Sequence, residues 1–68
     1  MYRGIVYTRP TTWGTFYKVH AYDNAGNLHS IDLGMMCGYT MLETRQMIHA
    51  ALDNAGIPKG GKLRWKRW

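Results

Sequence analysis

Lysine and arginine alternate with tryptophan over the last ten residues of this chain. Lys59-Gly60-Gly61-Lys62-Leu63-Arg64-Trp65-Lys66-Arg67-Trp68 holds five of the nine basic residues and no acid. Cations at this density can neutralise phosphates, and indole rings can stack on bases. The same segment can also be an edge strand whose charged side chains protect it from pairing with other chains. Written as a strand, Leu63, Trp65 and Arg67 share one face, and Arg64, Lys66 and Trp68 share the other. Leu63 and Trp65 are then expected to pack on the body, with Arg64 and Lys66 pointing away from it. Gly60-Gly61 is expected to act as a hinge.

The rest of the chain is electrically neutral. Residues 1–58 carry Arg3, Arg9, Lys18 and Arg45 against Asp23, Asp32, Glu43 and Asp53, which cancel. The pI near 9.7 therefore belongs to the tail. A chain cut after residue 58 is expected to stay folded and to lose most of any nucleic-acid affinity.

Other chemistry is sparse. There is no serine-centred motif, no glycine-rich phosphate loop and no pair of carboxylates at a telling spacing, so no enzyme is expected and no cofactor is called for. Cys37 stands just before a helix start, where the dipole can lower a thiol pKa; as a lone cysteine it reads more simply as a half-buried loop residue. Cys37, His20, His29 and His49 lack the close pairs that zinc sites use, and no metal site is expected. Met35, Met36, Met41 and Met47 either fill an irregular core or form an adaptable surface that grips a partner.

These residues need elements to position them. Tyr2–Arg9 is rich in aromatic and β-branched residues and stops at Pro10, which predicts a strand. Thr15–Tyr22 alternates, with Tyr17, Val19 and Ala21 on a core face and Phe16, Lys18, His20 and Tyr22 on a surface face. Asp23-Asn24-Ala25-Gly26-Asn27 is a hairpin turn, and Leu28–Leu33 is a third strand. Gly34 to Tyr39 breaks the pattern. Thr40 and Glu43 have the spacing of a capping box, and a helix over about 41–55 carries an apolar stripe of Met41, Thr44, Ile48, Ala51, Leu52 and Ala55. Gly56 is placed to end it, and Pro58 forbids continuation. The expected fold is α+β: a three-stranded antiparallel meander packed on one helix (β-β-β-α) over residues 1–58. Residues 59–68 follow as a basic, Trp-containing tail or an added edge strand.

At 68 residues the chain makes one domain. A body this small buries only about 60% of its unfolded surface, and its single cysteine gives no disulfide. Five Tyr, three Trp and one Phe supply the packing area instead. Met1 leads straight into strand-like sequence with no apolar leader and no membrane-spanning run. These features suggest a complete small cytoplasmic protein, a monomer or a homodimer.

Tyr2-Arg3-Gly4-Ile5, Arg9-Pro10, Trp13-Gly14 and Leu33-Gly34 before a helix make the first half similar to the plant AP2 DNA-binding domain and the related N-terminal domains of phage integrases. The resemblance implies a three-stranded sheet backed by one helix. It further implies that the exposed sheet face lies in the major groove and contacts DNA, with Arg3, Arg9 and Trp13 as DNA-facing positions. Two functional expectations follow. The first is a small nucleic-acid-binding protein, DNA before RNA, using Arg3, Arg9, Trp13, Lys18, His20, Lys62, Arg64, Trp65, Lys66 and Arg67. The second is a small protein, of the kind phages and mobile elements encode, that binds and modulates a host protein through an acidic patch on that protein.

Overall fold

A computed structural model describes residues 1–68. Four strands and one helix follow in the order β1 (Tyr2–Pro10), β2 (Thr15–Tyr22), β3 (Leu28–Met36), α1 (Met41–Asn54) and β4 (Lys62–Arg67). The strands form a single sheet in the order β3-β2-β1-β4. β1, β2 and β3 are the antiparallel meander that the sequence predicts. The basic tail is an integral strand: β4 lies beside β1 and parallel to it, so the sheet is mixed and four-stranded. A parallel neighbour requires a long crossover, and residues 37–61 provide it by carrying α1 across one face of the sheet.

Local sequence explains each element. The Asp23 carboxylate accepts hydrogen bonds from the Ala25 and Asn27 amides, both at 2.9 Å, and closes the β2–β3 turn. Its Oδ2 lies 2.9 Å from His29 Nε2, and this contact is the main reason the Asp23 carboxyl drops from its usual 3.8 to about 2. At the start of α1 the capping box forms, with the Glu43 amide donating to Thr40 Oγ1 (3.1 Å) and the Thr40 amide to Glu43 Oε1 (2.9 Å). At its end the Ile57 amide donates to the Leu52 carbonyl and the Gly56 amide to the Asp53 carbonyl, a Schellman closure.

β3 runs three residues further than the sequence suggests, because a bulge absorbs the glycine. Lys18 pairs with Asp32 and Tyr17 with Gly34, leaving Leu33 as the extra residue. Gly34 takes φ +69, and its amide donates to Asp32 Oδ1 at 2.8 Å. The extra residue restores Met36 to the core side. Of the four clustered methionines only Met36 is buried; Met35, Met41 and Met47 are 39–50% exposed.

The core lies between α1 and one face of the sheet: Val6, Tyr17, Val19, Ala21, Met36, Ile48, Leu52 and Ile57. Thr44, Ile48 and Leu52 are the buried residues of the helix, so the expected stripe faces the sheet along those three. Leu63 packs on the same core, and Trp65 meets the Tyr17 ring edge-on, centroids 6.5 Å apart. Of the Gly60-Gly61 pair, expected to act as a hinge, Gly61 is a bend packed against the start of β1. A Cβ on Gly61 would stand 3.0 Å from the Arg3 amide nitrogen, and its φ is +83, so glycine is required there.

Candidate functional site

With one helix on one side, the other face of the sheet is uncovered. Cross-strand register places its residues in rows. His20 pairs with Ser30 on one side and Ile5 on the other, and Ile5 with Arg64. Lys18 lies between Asp32 and Tyr7, and Tyr7 pairs with Lys66. Phe16 lies between Met35 and Arg9. Beyond the His20 row, Tyr22 pairs with Leu28, and Tyr2 stands at the start of β1. Trp68 closes the far corner, its amide bonded to the Thr8 carbonyl at 2.8 Å.

Four cations are thus set among aromatic rings. Lys18 Nζ sits 5.8 Å from the centre of the Trp68 ring, and the Arg64 guanidinium 5.8 Å from the centre of Tyr2. Such stacking holds the charges in place while leaving outward N–H groups for a ligand. Tyr7 and His20 meet edge-to-face at 5.0 Å. The single acid on the face is Asp32, opposite Lys18. The face therefore carries a local excess of positive charge although residues 1–58 are neutral, because β4 lends Arg64 and Lys66 to it.

Arg9, Lys18, His20, Arg64 and Lys66 come together on this face. The remaining candidates lie elsewhere. Trp65 and Arg67 alternate to the helix side, beside Val6 and Thr8. Lys62 sits at the beginning of β4, beside the β1 bulge, and lines a groove with Arg45 and His49 of the helix. Trp13 stands on the β1–β2 loop, 78% exposed. Arg3 departs furthest from expectation, being only 8% exposed. It is the extra residue where Tyr2 pairs with Lys62 and Gly4 with Leu63, and its side chain runs to the helix side. There it bonds Asp53, His49 Nδ1 (2.9 Å), and the carbonyls of Pro58 (3.0 Å) and Ile57 (3.1 Å). The Arg3 N–H groups hold the Asp53 carboxyl below its ordinary value. Arg3 ties the first strand to the end of the helix and is not available to a ligand on the open face.

Sequence reasoning left Tyr2, Tyr7, Phe16, Tyr22 and Trp68 out of the site. The period-two alternation already placed Phe16 and Tyr22 beside Lys18 and His20, and that signal could have found them. Cys37 is a free, exposed thiol in the β3–α1 connection. No helix is long and apolar enough to cross a membrane.

The chain is thus an α+β domain with a mixed four-stranded sheet, one helix and an open basic-aromatic face. Comparison with protein-family models, curated proteins and solved structures returns no match.

Proposed function

We propose that this protein binds nucleic acid through the uncovered sheet face. The observation that carries the reading is the placement of Arg9, Lys18, Arg64 and Lys66 among Tyr2, Tyr7, Phe16, His20, Tyr22 and Trp68 on one surface. Cations supply the sequence-independent attraction to phosphate, and rings supply stacking surface for bases. A patch built only to keep a sheet edge in water has no need of six rings beside its charges. The resemblance to AP2 domains would likewise put the ligand on the sheet, and of its three DNA-facing positions, Arg3, Arg9 and Trp13, Arg9 alone lies on this face. The test is a fluorescence anisotropy titration against duplex DNA, single-stranded DNA and RNA at two salt concentrations. Salt-dependent binding to at least one is expected, and Arg64→Ala with Lys66→Ala weakens it. Absence of salt-dependent binding to all three overturns the reading.

A second reading, a protein partner, draws on the exposed Trp13, Tyr39, Met41 and Leu42 in the loops and first helical turn, away from the basic face. It predicts that a pull-down recovers one protein stoichiometrically and that nuclease treatment does not release it.

A further inference from the structure

We infer that the ligand of the open face is a single-stranded nucleic acid, and that one unpaired base enters the groove between Tyr2 and Tyr22. This rests on the nucleic-acid reading above and narrows it. A groove of about 380 Å³ opens at this end of the sheet, lined by Tyr2, Ile5, Tyr7, His20, Tyr22 and Leu28 among others. Tyr2 and Tyr22 are 55% and 63% exposed and form its sides, with Arg64 over one face of the Tyr2 ring. Ile5 is half-buried and forms an apolar floor, while the Tyr7–His20 pair closes the inner end. The Arg64 guanidinium lies over Tyr2 and beside Ile5, where it can meet the phosphate of a base held in the groove.

Spacing separates a single strand from a duplex. Residues on one face of a strand recur about every 6.8 Å, twice the rise per residue. Bases in a duplex strand are stacked at about 3.4 Å per nucleotide. Successive aromatic rows of this sheet, Tyr22 then His20 then Lys18 with Tyr7, can therefore each receive a base only from a chain whose bases are unstacked. A duplex also hides the flat surfaces of its bases, so the exposed rings would find nothing to stack on.

The experiment compares fluorescein-labelled oligo(dT), oligo(U) and a blunt DNA duplex, all with the same number of phosphates per strand, on the full chain. Wild-type protein is expected to bind at least one single strand about tenfold more tightly than the duplex. Tyr2→Leu with Tyr22→Leu is expected to weaken single-strand binding by about tenfold or more, the loss of one to two stacked bases, and to weaken duplex binding much less, through the looser hold on Arg64 alone. Tyr2→Phe with Tyr22→Phe keeps the rings and is expected to keep the affinity, which separates stacking from folding defects. Arg45→Ala, which removes the same charge as Arg64→Ala from the exposed side of the helix, is expected to change nothing. Duplex binding as tight as single-strand binding overturns the inference, as does a folded Leu pair with wild-type single-strand affinity. In either case, loss of binding in the Arg64→Ala, Lys66→Ala variant leaves the broader nucleic-acid reading standing. Failure of all three probes removes both.

Discussion

Arg3 and Asp32 show how the neighbours of a charged residue decide its role. Arg3 starts a strand beside the open face, yet the bulge turns it under the sheet, where two carbonyls, an imidazole nitrogen and a carboxylate take up its donors. Arg3→Leu removes a buried guanidinium and leaves the buried Ile57 carbonyl and the half-buried His49 without their donor. It is expected to cost about 1–3 kcal/mol of stability, read by urea denaturation. In the fraction that remains folded, nucleic-acid affinity should match wild type, the opposite of what a DNA-facing arginine would give. Asp53 makes the complementary prediction. Its folded-state carboxyl titrates below its ordinary value, as does Asp23, near 2. Groups depressed on folding stabilise the protein above their unfolded pKa, and that stability is lost as pH falls through the folded value. Unfolding free energy should therefore drop steadily from about pH 4 towards pH 2, and Asp53→Asn should lower stability at neutral pH while making the acid slope shallower. Asp32 faces the open surface opposite Lys18 and opposes phosphate there. Asp32→Asn is expected to tighten nucleic-acid binding by about two- to fivefold, the range of an exposed charge pair, measured at low salt.

The strand β4 joins charge to architecture. Leu63 packs on the core, Trp65 meets Tyr17, and the backbone pairs with β1 from Tyr2 to Thr8. A chain ending at residue 58 would expose the whole β1 edge and one side of the fully buried Val6. It is expected to lose cooperative unfolding, seen as a broad thermal transition by circular dichroism, and not to persist as an intact body stripped of its charges. Charge effects on binding are consequently to be read from substitutions in the full chain. Trp65→Ala should cost about 1–2 kcal/mol through the covered part of its ring, which is 36% exposed, and the lost edge contact with Tyr17. The caps of α1, the β2–β3 turn and the face assignments within β2 and β4 were all legible in the sequence, because each depends on residues within a few positions of one another. The parallel pairing of β4 with β1 was not, since nothing local distinguishes the two edges of a sheet. The bulges at Arg3 and Leu33 were equally hidden, for a bulge is fixed by register against a partner strand. That is why Arg3 read as a surface cation and why β3 was expected to end at Leu33. The candidate site was half legible. The cations of β2 and β4 could be placed by alternation, but their meeting on one face depends on β4 lying next to β1.

At the scale of the molecule, a single helix can cover only one side of a four-stranded sheet, so the opposite side is left to solvent or to a ligand. The charge distribution follows from the topology. Of the five cations in residues 59–68, the strand's alternation sends Arg64 and Lys66 to the open face and Arg67 to the other, while Lys59 stays in the preceding loop. Lys62, at the strand's first position beside the β1 bulge, lines a groove with Arg45 and His49 of the helix. Four cations thus face the proposed ligand, counting Arg9 and Lys18. Each neutralised phosphate on a single strand contributes about −0.7 to the log-log dependence of affinity on salt, so four predict a slope of about −2.8. Adding Lys59, Lys62 and Arg67 would steepen it to about −4.9. A titration of oligo(dT) between 50 and 200 mM salt separates the two values. A slope near −3 that becomes shallower by about 0.7 in each of Arg64→Ala and Lys66→Ala, and stays unchanged in Lys59→Ala, assigns the electrostatics to the sheet face. A slope near −5 that responds to Lys59→Ala would mean that the strand wraps the β4 edge, and that the open face is only part of the binding surface.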